Sequence, residues 1–243
     1  MRDLIQAAPP APAFVSRMSI PRVLLQFWHD ANAVPSDVRE CLDSWQPLTT
    51  RGFTRTLFDD TSARFFIRSA LGKSCVAAYD RCLHPAMRCD YFRLCYIWRR
   101  GGFYVDADDV FQGGDCEALY RDDRLKLQPL CYDTRTDSII EPDLFIGRRI
   151  ALPGWIFYVN NNPLVSPAGH PVIGRALRRA TRRLLEGDGG SRDIQSTTGP
   201  GNLTASLVAH SVAARADGGA HDVLILSNWA AVGVCRSWRT VDC

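Results

Sequence analysis

Lysine is nearly missing from this chain: Lys73 and Lys126 are the only two among 29 basic side chains, and the rest are arginine. Most of that bias reads as a GC-rich coding sequence. Arginine also suits phosphate and carboxylate recognition, because its planar fork donates bidentately. No run approaches the ~20 apolar residues of a membrane span. The N-terminus has Arg2, Asp3 and a Pro/Ala-rich stretch, without the apolar core of a signal peptide. No two of the nine cysteines form a C-x-x-C pair, which speaks against a zinc ribbon. Buried free thiols are the simpler reading, since free Cys packs as a small hydrophobe. Cys75, Cys82 and Cys89 are seven apart and would share a face if one helix ran through them. No internal repeat and no long linker is seen. The expectation is a soluble, reducing, cytoplasmic-type protein.

What is present is ordinary for a globular domain. The 243 residues are 46% hydrophobic and 23% charged, which argues against disorder and fibrous repeats. The length allows one large domain or two small ones. A net charge of +3 is too mild to imply nucleic acid by itself. Residues 1–19, with Ala7-Ala8-Pro9-Pro10-Ala11-Pro12-Ala13, read as a flexible tail of extended backbone, and Met18 as an alternative start. Residues 20–243 read as the folded domain.

The segment Arg22–Trp28 is a short apolar run after Pro21, as a buried strand would be. Pro35-Ser36-Asp37 opens a helix with Ser36 or Asp37 as its cap. Phe53–Phe58 reads as a second strand, and a helix follows around 61–71. This alternation argues for a parallel sheet with helices on its faces. In the helix over 84–100, Met87, Tyr91, Leu94, Cys95 and Trp98 form an apolar stripe, while Asp90 and Arg93 share another face. Gly101-Gly102 ends that helix. The strand Phe103-Tyr104-Val105 leads into Asp106-Ala107-Asp108-Asp109. Residues 115–159 read as short strands and turns. A basic amphipathic helix spans roughly 172–186, a Gly-Pro loop and helix cover 197–210, and 223–226 is a late strand.

The chemistry is concentrated in Asp90-Tyr-Phe-Arg93 and Gly101 to Asp109. Ligands of open α/β sheets bind outside the carboxyl ends of strands. Three carboxylates crowded there repel unless a cation or water relieves them. Aspartate oxygens suit Mg²⁺ or Mn²⁺, ions that bridge carboxylates to substrate phosphates. A metal–diphosphate site is the expectation. A bare D-x-D also occurs by chance in acidic turns.

In this segment the sequence resembles the glycosyltransferases of family 32, which share a D-x-D sugar-binding region with initiating mannosyltransferases and large clostridial glucosylating toxins. Five stretches carry the resemblance in order. They are Ile20 to Trp28, then Asp90/Arg93 with Gly101 to Asp108, then Asn161 with Val165-Ser166-Pro167-Ala168-Gly169-His170-Pro171, then Thr198-Gly199-Pro200-Gly201-Asn202-Leu203-Thr204, and finally Ser237-Trp238. The resemblance implies a single GT-A-type, Rossmann-like α/β domain with a mostly parallel sheet flanked by helices. It further implies a retaining transferase using a nucleotide-sugar donor, a UDP-sugar before a GDP-sugar, and Mn²⁺ or Mg²⁺. By the same resemblance Trp28 stacks on the base, Asp106 holds ribose and sugar, and Asp106 and Asp108 hold the metal. Asp90, Arg93 and Asn161 grip the transferred sugar, Tyr104 lies near the donor, and Ser237 and Trp238 belong to a tail that binds it. The run Asn160-Asn161-Asn162 leaves that register open by one. Histidines that family members carry before the terminal Ser-Trp are absent here, so Arg236 or Arg239 could serve the diphosphate instead.

Each of these residues has a plain alternative. Trp28 and Tyr104 could be sheet aromatics, and Asp90–Arg93 a helix salt bridge. Gly72-Lys73-Ser74 is no P-loop, because Ile67 stands where the motif needs glycine. The histidines show no metal-ligand spacing. Asn202-Leu203-Thr204 matches a glycosylation acceptor without a secretory signal to support it. Arg175, Arg178, Arg179, Arg182 and Arg183 form a solvated helix face, or a contact with an anionic membrane surface or acidic acceptor. The acceptor itself could be a glycan, a lipid-linked sugar or a protein. Peripheral contact with the inner membrane face and secretion as an effector both fit. Competing classes are a metal-dependent nucleotidyl- or phosphotransferase, and a nucleic-acid- or membrane-binding module built on the arginine helix. The nucleic-acid version leaves the aspartates unexplained, since they repel phosphate.

Overall fold

Leu24 and Leu25 are neighbours in the chain, and both are fully shielded from solvent. They lie on a strand, where successive side chains point to opposite faces, so both faces must be covered. Leu25 packs with Phe27, Phe92, Tyr104 and Leu164 on one side. Leu24 packs with Trp45, Phe103, Val165 and Trp229 on the other. The protein, a computed structural model, is described over residues 1–2, 19–146, 152–186, 193–216 and 222–235. The tail expected at 1–19, Ser237, Trp238, Arg236 and Arg239 thus lie wholly or mostly outside the described residues.

The chain runs β1 (Val23–Phe27), α1 (Ser36–Ser44), β2 (Thr54–Phe58), α2 (Asp60–Leu71), α3 (Lys73–Asp80), α4 (Pro85–Arg100) and β3 (Gly102–Tyr104). It continues through β4 (Asp109–Phe111), β5 (Leu125–Asp133), β6 (Ser138–Ile140), α5 (Pro142–Phe145) and β7 (Trp155–Ser166). Then come α6 (Pro171–Glu186), α7 (Ile194–Thr197), α8 (Pro200–Ala216), β8 (Val223–Ile225) and β9 (Gly233–Cys235). The main sheet has the order β2-β1-β3-β7-β5-β6, with β8 also on β5, and β4 pairs with β9 apart from it. Among the described residues no helix is long and apolar enough to cross a membrane.

The α/β architecture with helices flanking one sheet is as expected, but the sheet is mixed. β1–β2, β1–β3 and β5–β8 are parallel, whereas β3–β7, β7–β5 and β5–β6 are antiparallel. Parallel pairing needs a long crossover, usually a helix. Helices of that length separate β1, β2 and β3. Between β3 and β7 only short helical turns intervene, and the chain returns antiparallel. The span 115–159 is also more regular than expected, because the nine-residue β5 and the start of the twelve-residue β7 lie in it.

Helix α4 is built by three local signals. His84 Nδ1 accepts from Ala86 N at 3.1 Å, Pro85 occupies the first turn, and Gly101 at φ 70° ends it. A Cβ at Gly101 would fall 2.7 Å from Ala168 N, so the helix end packs directly on the turn after β7. The break at Pro85 also means that no single helix carries Cys75, Cys82 and Cys89; they lie on α3, in the turn after it, and on α4. Cys75, Cys82, Cys89, Cys95, Cys116 and Cys131 are free thiols. At α1 the N-cap position is Pro35 with no side-chain cap, rather than Ser36 or Asp37. Asn202 is fully buried, with Nδ2 donating to Ala176 O at 3.0 Å, which removes it as a glycosylation acceptor.

Candidate active site

Strand β3 delivers the central residues. Tyr104 is fully buried, and the chain leaves the sheet two residues later at Asp106. Tyr104 Oη donates to Asp106 Oδ1 at 2.6 Å, a short charge-assisted contact. The Arg93 guanidinium lies 4.2 Å from the Tyr104 ring centroid and donates from Nη2 to Asp106 Oδ1 at 2.9 Å. The same Nη2 is 3.1 Å from Asp90 Oδ1, and Arg93 Nη1 donates to the Asn161 carbonyl at 2.9 Å. Arg93 is therefore more than one half of an i,i+3 helix pair. It ties α4 to the end of β3 and to β7.

Asp90 is held from three sides. Besides Arg93, Asn161 Nδ2 donates to its Oδ1 at 2.8 Å and Thr198 Oγ1 to its Oδ2 at 3.3 Å. Gly199 admits this contact, since a Cβ there would lie 3.3 Å from Asp90 Oδ2. Burial pushes the Asp90 carboxyl up to about 6, against the pull of Arg93. Arg93 itself is raised, because Asp106, Tyr104, Cys89 and Asp90 outweigh its burial. Within the triple-asparagine run, Asn161 faces Asp90, while Asn162 Oδ1 accepts from the Asp106 amide and its Nδ2 donates to Asp109. Asp109 is buried at the start of β4, so it belongs to this scaffold and not to an open carboxylate trio.

Trp28 ends up one residue beyond β1, half-buried at the mouth of a cavity of about 540 Å³. That cavity is lined by Trp28, His84, Cys89, Asp90, Arg93, Asp106, Asp108 and Asn161, together with Ile194, Gln195 and Pro200 from α7 and the start of α8. Of the residues expected at the site, Ser237, Trp238 and the alternatives Arg236 and Arg239 lie outside the described residues; Tyr104 contacts Asp106 and is not in the lining. Sequence reasoning gave no site role to Cys89 or Thr198, and held Asn162 only as the other register of Asn161. Cys89 adjoins Asp90, and Thr198 opens the Thr-Gly-Pro stretch; those positions were the available signal.

Asp106 and Asp108 are the residues that could hold a cation. Burial, then the like charge of Asp106, pushes Asp108 up to about 6. That strain on the pair is what a divalent ion would relieve. Among the described residues no group of three or more His, Cys, Asp or Glu side chains is placed for a metal. Two carboxylates alone fit an Mg²⁺- or Mn²⁺-type site that is completed by phosphates and water. A second depression, of about 610 Å³, is lined by residues of α2 and α3, and four of its charged side chains are engaged in the pairs Arg64–Asp80 and Arg88–Asp60.

Residues 29–114 match the family described as glycosyltransferase sugar-binding region containing DXD motif. No curated protein matches the chain. Among solved structures, the PaToxG glycosyltransferase is similar in fold, with a TM-score of 0.55 and 13% identity, covering 82% of this chain and 73% of that one. The UDP-bound glycosyltransferase domain from the YGT toxin aligns with a TM-score of 0.41 and 10% identity, over 79% of this chain and 55% of that one.

Proposed function

We propose, for a glycosyltransferase chain whose residues 29–114 form its DXD sugar-binding region, that it moves a hexosyl group from a nucleotide sugar to an acceptor with retention of configuration. A UDP-sugar is the first choice of donor and a GDP-sugar the second. Residues 20–243 form the catalytic domain, of the family 32 type. The observation that carries the reading is the Asp90–Arg93–Asp106 cluster, with Asp90 and Arg93 buried and Asp106 partly exposed, closed by Asn161 in a cavity that Trp28 also lines.

In this reading Trp28 offers an aromatic face to the base. Asp90 and Asn161 face the transferred sugar, and Arg93 stands where charge builds on the departing diphosphate. Arg93 is already fixed by its partners, so it stabilises that charge without reorganising. Asp106 and Asp108 would hold a divalent ion, which when bound would supply Lewis-acid neutralisation of the diphosphate charge. Of the three carboxylates in the cavity, Asp90 accepts from Asn161, Thr198 and Arg93, Asp106 Oδ1 accepts from Tyr104 and Arg93, and Asp108 is assigned to the ion, so none is given a nucleophile's role. That favours same-face attack through an oxocarbenium-like state, with the leaving phosphate as base. A sugar trapped covalently on the protein would contradict it.

Binding tests the donor site directly. UDP titrated into the protein with Mn²⁺ present should bind, and should bind far more weakly with chelator or in Asp108→Ala. If neither UDP nor GDP binds under any metal condition, the reading is lost. The nucleotidyl- or phosphotransferase alternative predicts nucleotide triphosphate turnover without sugar release. The outward arginines of α6 fit a peripheral contact with an anionic membrane face, and no nucleic acid is invoked.

A further inference from the structure

We propose that Cys89 is a positioning residue of the donor site: its thiol closes a ring of hydrogen bonds that fixes Arg93 and Asp106 relative to each other. The proposal deepens the sugar-transfer reading and rests on it for its kinetic consequence, but the ring itself can be tested without any donor.

Cys89 sits on α4 one residue before Asp90 and one turn before Arg93. It lines the cavity. Its Sγ is 2.9 Å from Tyr104 Oη and 3.2 Å from Arg93 Nη2, which donates to it. The other two sides of the ring are Tyr104 Oη to Asp106 Oδ1 at 2.6 Å and Arg93 Nη2 to Asp106 Oδ1 at 2.9 Å.

The chemistry of the members fixes the direction of every bond. A guanidinium only donates and a carboxylate only accepts. The Tyr104 hydroxyl must therefore give its proton to Asp106, and its oxygen remains as an acceptor. The group facing that oxygen has to be a donor. At the same point Arg93 needs an acceptor. Cys89 supplies both: its S–H points to Tyr104 Oη and its sulfur lone pair receives Arg93 Nη2. The Sγ to Asp106 Oδ1 separation of 4.0 Å is too long to compete for the proton.

The guanidinium depends on this contact. Arg93 Nε is shielded from solvent and has no hydrogen-bond partner among the described residues. The orientation of the fork is set by Nη1 on the Asn161 carbonyl and by Nη2 on Cys89, Asp90 and Asp106. Alanine at position 89 would leave the phenol oxygen without its donor and the two Nη2 hydrogens with Asp90 and Asp106 alone, so the link from Tyr104 to the guanidinium through the sulfur is lost. Serine would restore a donor and an acceptor at the same place.

Two measurements test this. First, in turnover of a panel of UDP- and GDP-sugars with Mn²⁺, Cys89→Ala should lose kcat by about tenfold or more, while KM for the donor stays within about twofold. Cys89→Ser should recover most of the loss, and both variants should keep the wild-type Tm within a few degrees. An alanine variant as fast as wild type, or a serine variant as slow as alanine, overturns the proposal. Second, an infrared difference spectrum of wild type against Cys89→Ser isolates the Cys89 S–H stretch. It should lie below the free-thiol position and move up in Tyr104→Phe. A free-thiol band that ignores Tyr104→Phe overturns the ring, whether or not any sugar nucleotide is turned over. Turnover of no donor by the wild type would count against the sugar-transfer reading, and the spectrum would still decide the ring.

Discussion

Asn161 Nδ2 lies 2.8 Å from Asp90 Oδ1, joining strand β7 to helix α4 across 71 residues of sequence. The contact places an asparagine and a carboxylate side by side on the cavity floor, with Arg93 bound to both residues. Burying that carboxylate costs stability, and the cost can be measured.

Asp90 is raised to about 6 from an unfolded value near 3.8. A raised carboxyl contributes stability that is fully present below the unfolded value and is lost as pH rises through 6. At neutral pH the ionised Asp90 therefore works against the fold. Asp90→Asn mimics the protonated form and can still accept from Asn161. It should leave Tm unchanged or higher, while sugar-nucleotide turnover falls by about a hundredfold. A drop in Tm of many degrees, with activity intact, would mean that Asp90 is structural only.

Gly101 joins α4 to β3 at φ 70°, and an added Cβ would meet Ala168 N at 2.7 Å. Gly101→Ala should cost about 1–3 kcal/mol in unfolding free energy from backbone strain, before the overlap is added. Because this junction aims Asp106, activity should fall with stability. Denaturant unfolding checks the first point; a variant as stable as wild type would contradict the geometry.

His170 is 4% exposed, and burial lowers it from 6.5 to about 4 despite Asp222 beside it. The folded state keeps it neutral, and the unfolded state takes up a proton first. Its contribution is fully present above pH 6.5 and is lost as pH falls toward 4, by about 3 kcal/mol at most. Unfolding measured from pH 7 down to 4.5 should show a slope that His170→Asn flattens. Equal slopes would place the acid sensitivity elsewhere.

The arginine stripe of α6 divides. Val172, Ile173, Ala176, Leu177, Ala180 and Leu184 are buried on its inner side. Arg183 is drawn to the Ser196 carbonyl at 2.6 Å, and Arg179 is half-buried. Arg175, Arg178 and Arg182 face outward, with Arg182 reaching Glu186 at 3.9 Å. Vesicles of phosphatidylserine and phosphatidylcholine should retain the protein at low salt, and changing those three to glutamate should release it. No retention of the wild type, or retention unchanged in the variant, would leave the face as solvated surface.

Helix α4 and the turn after β3 were legible because their signals are local: apolar period, proline start, glycine stop and aspartates at a strand end. Strand β7 was not. Its centre, Asn160-Asn161-Asn162-Pro163, spends polar residues on Gln128, Asp90, Asp106 and Asp109, and so breaks the alternation that marks a strand. In β5 the buried Lys126, paired with Asp122, and the irregularity between Leu127 and Pro129 hide the pattern in the same way. Cys89 and Thr198 were missed because their roles are set by residues from other elements, Tyr104 in one case and Asp90 in the other.

The most direct measurement is release of nucleoside diphosphate from a panel of UDP- and GDP-sugars with Mn²⁺, comparing wild type with Asp106→Ala and Asp108→Ala. The wild type should release diphosphate from at least one donor, chelator should stop it, and both variants should be near background. Release by no donor, or equal release by wild type and both variants, would contradict the account.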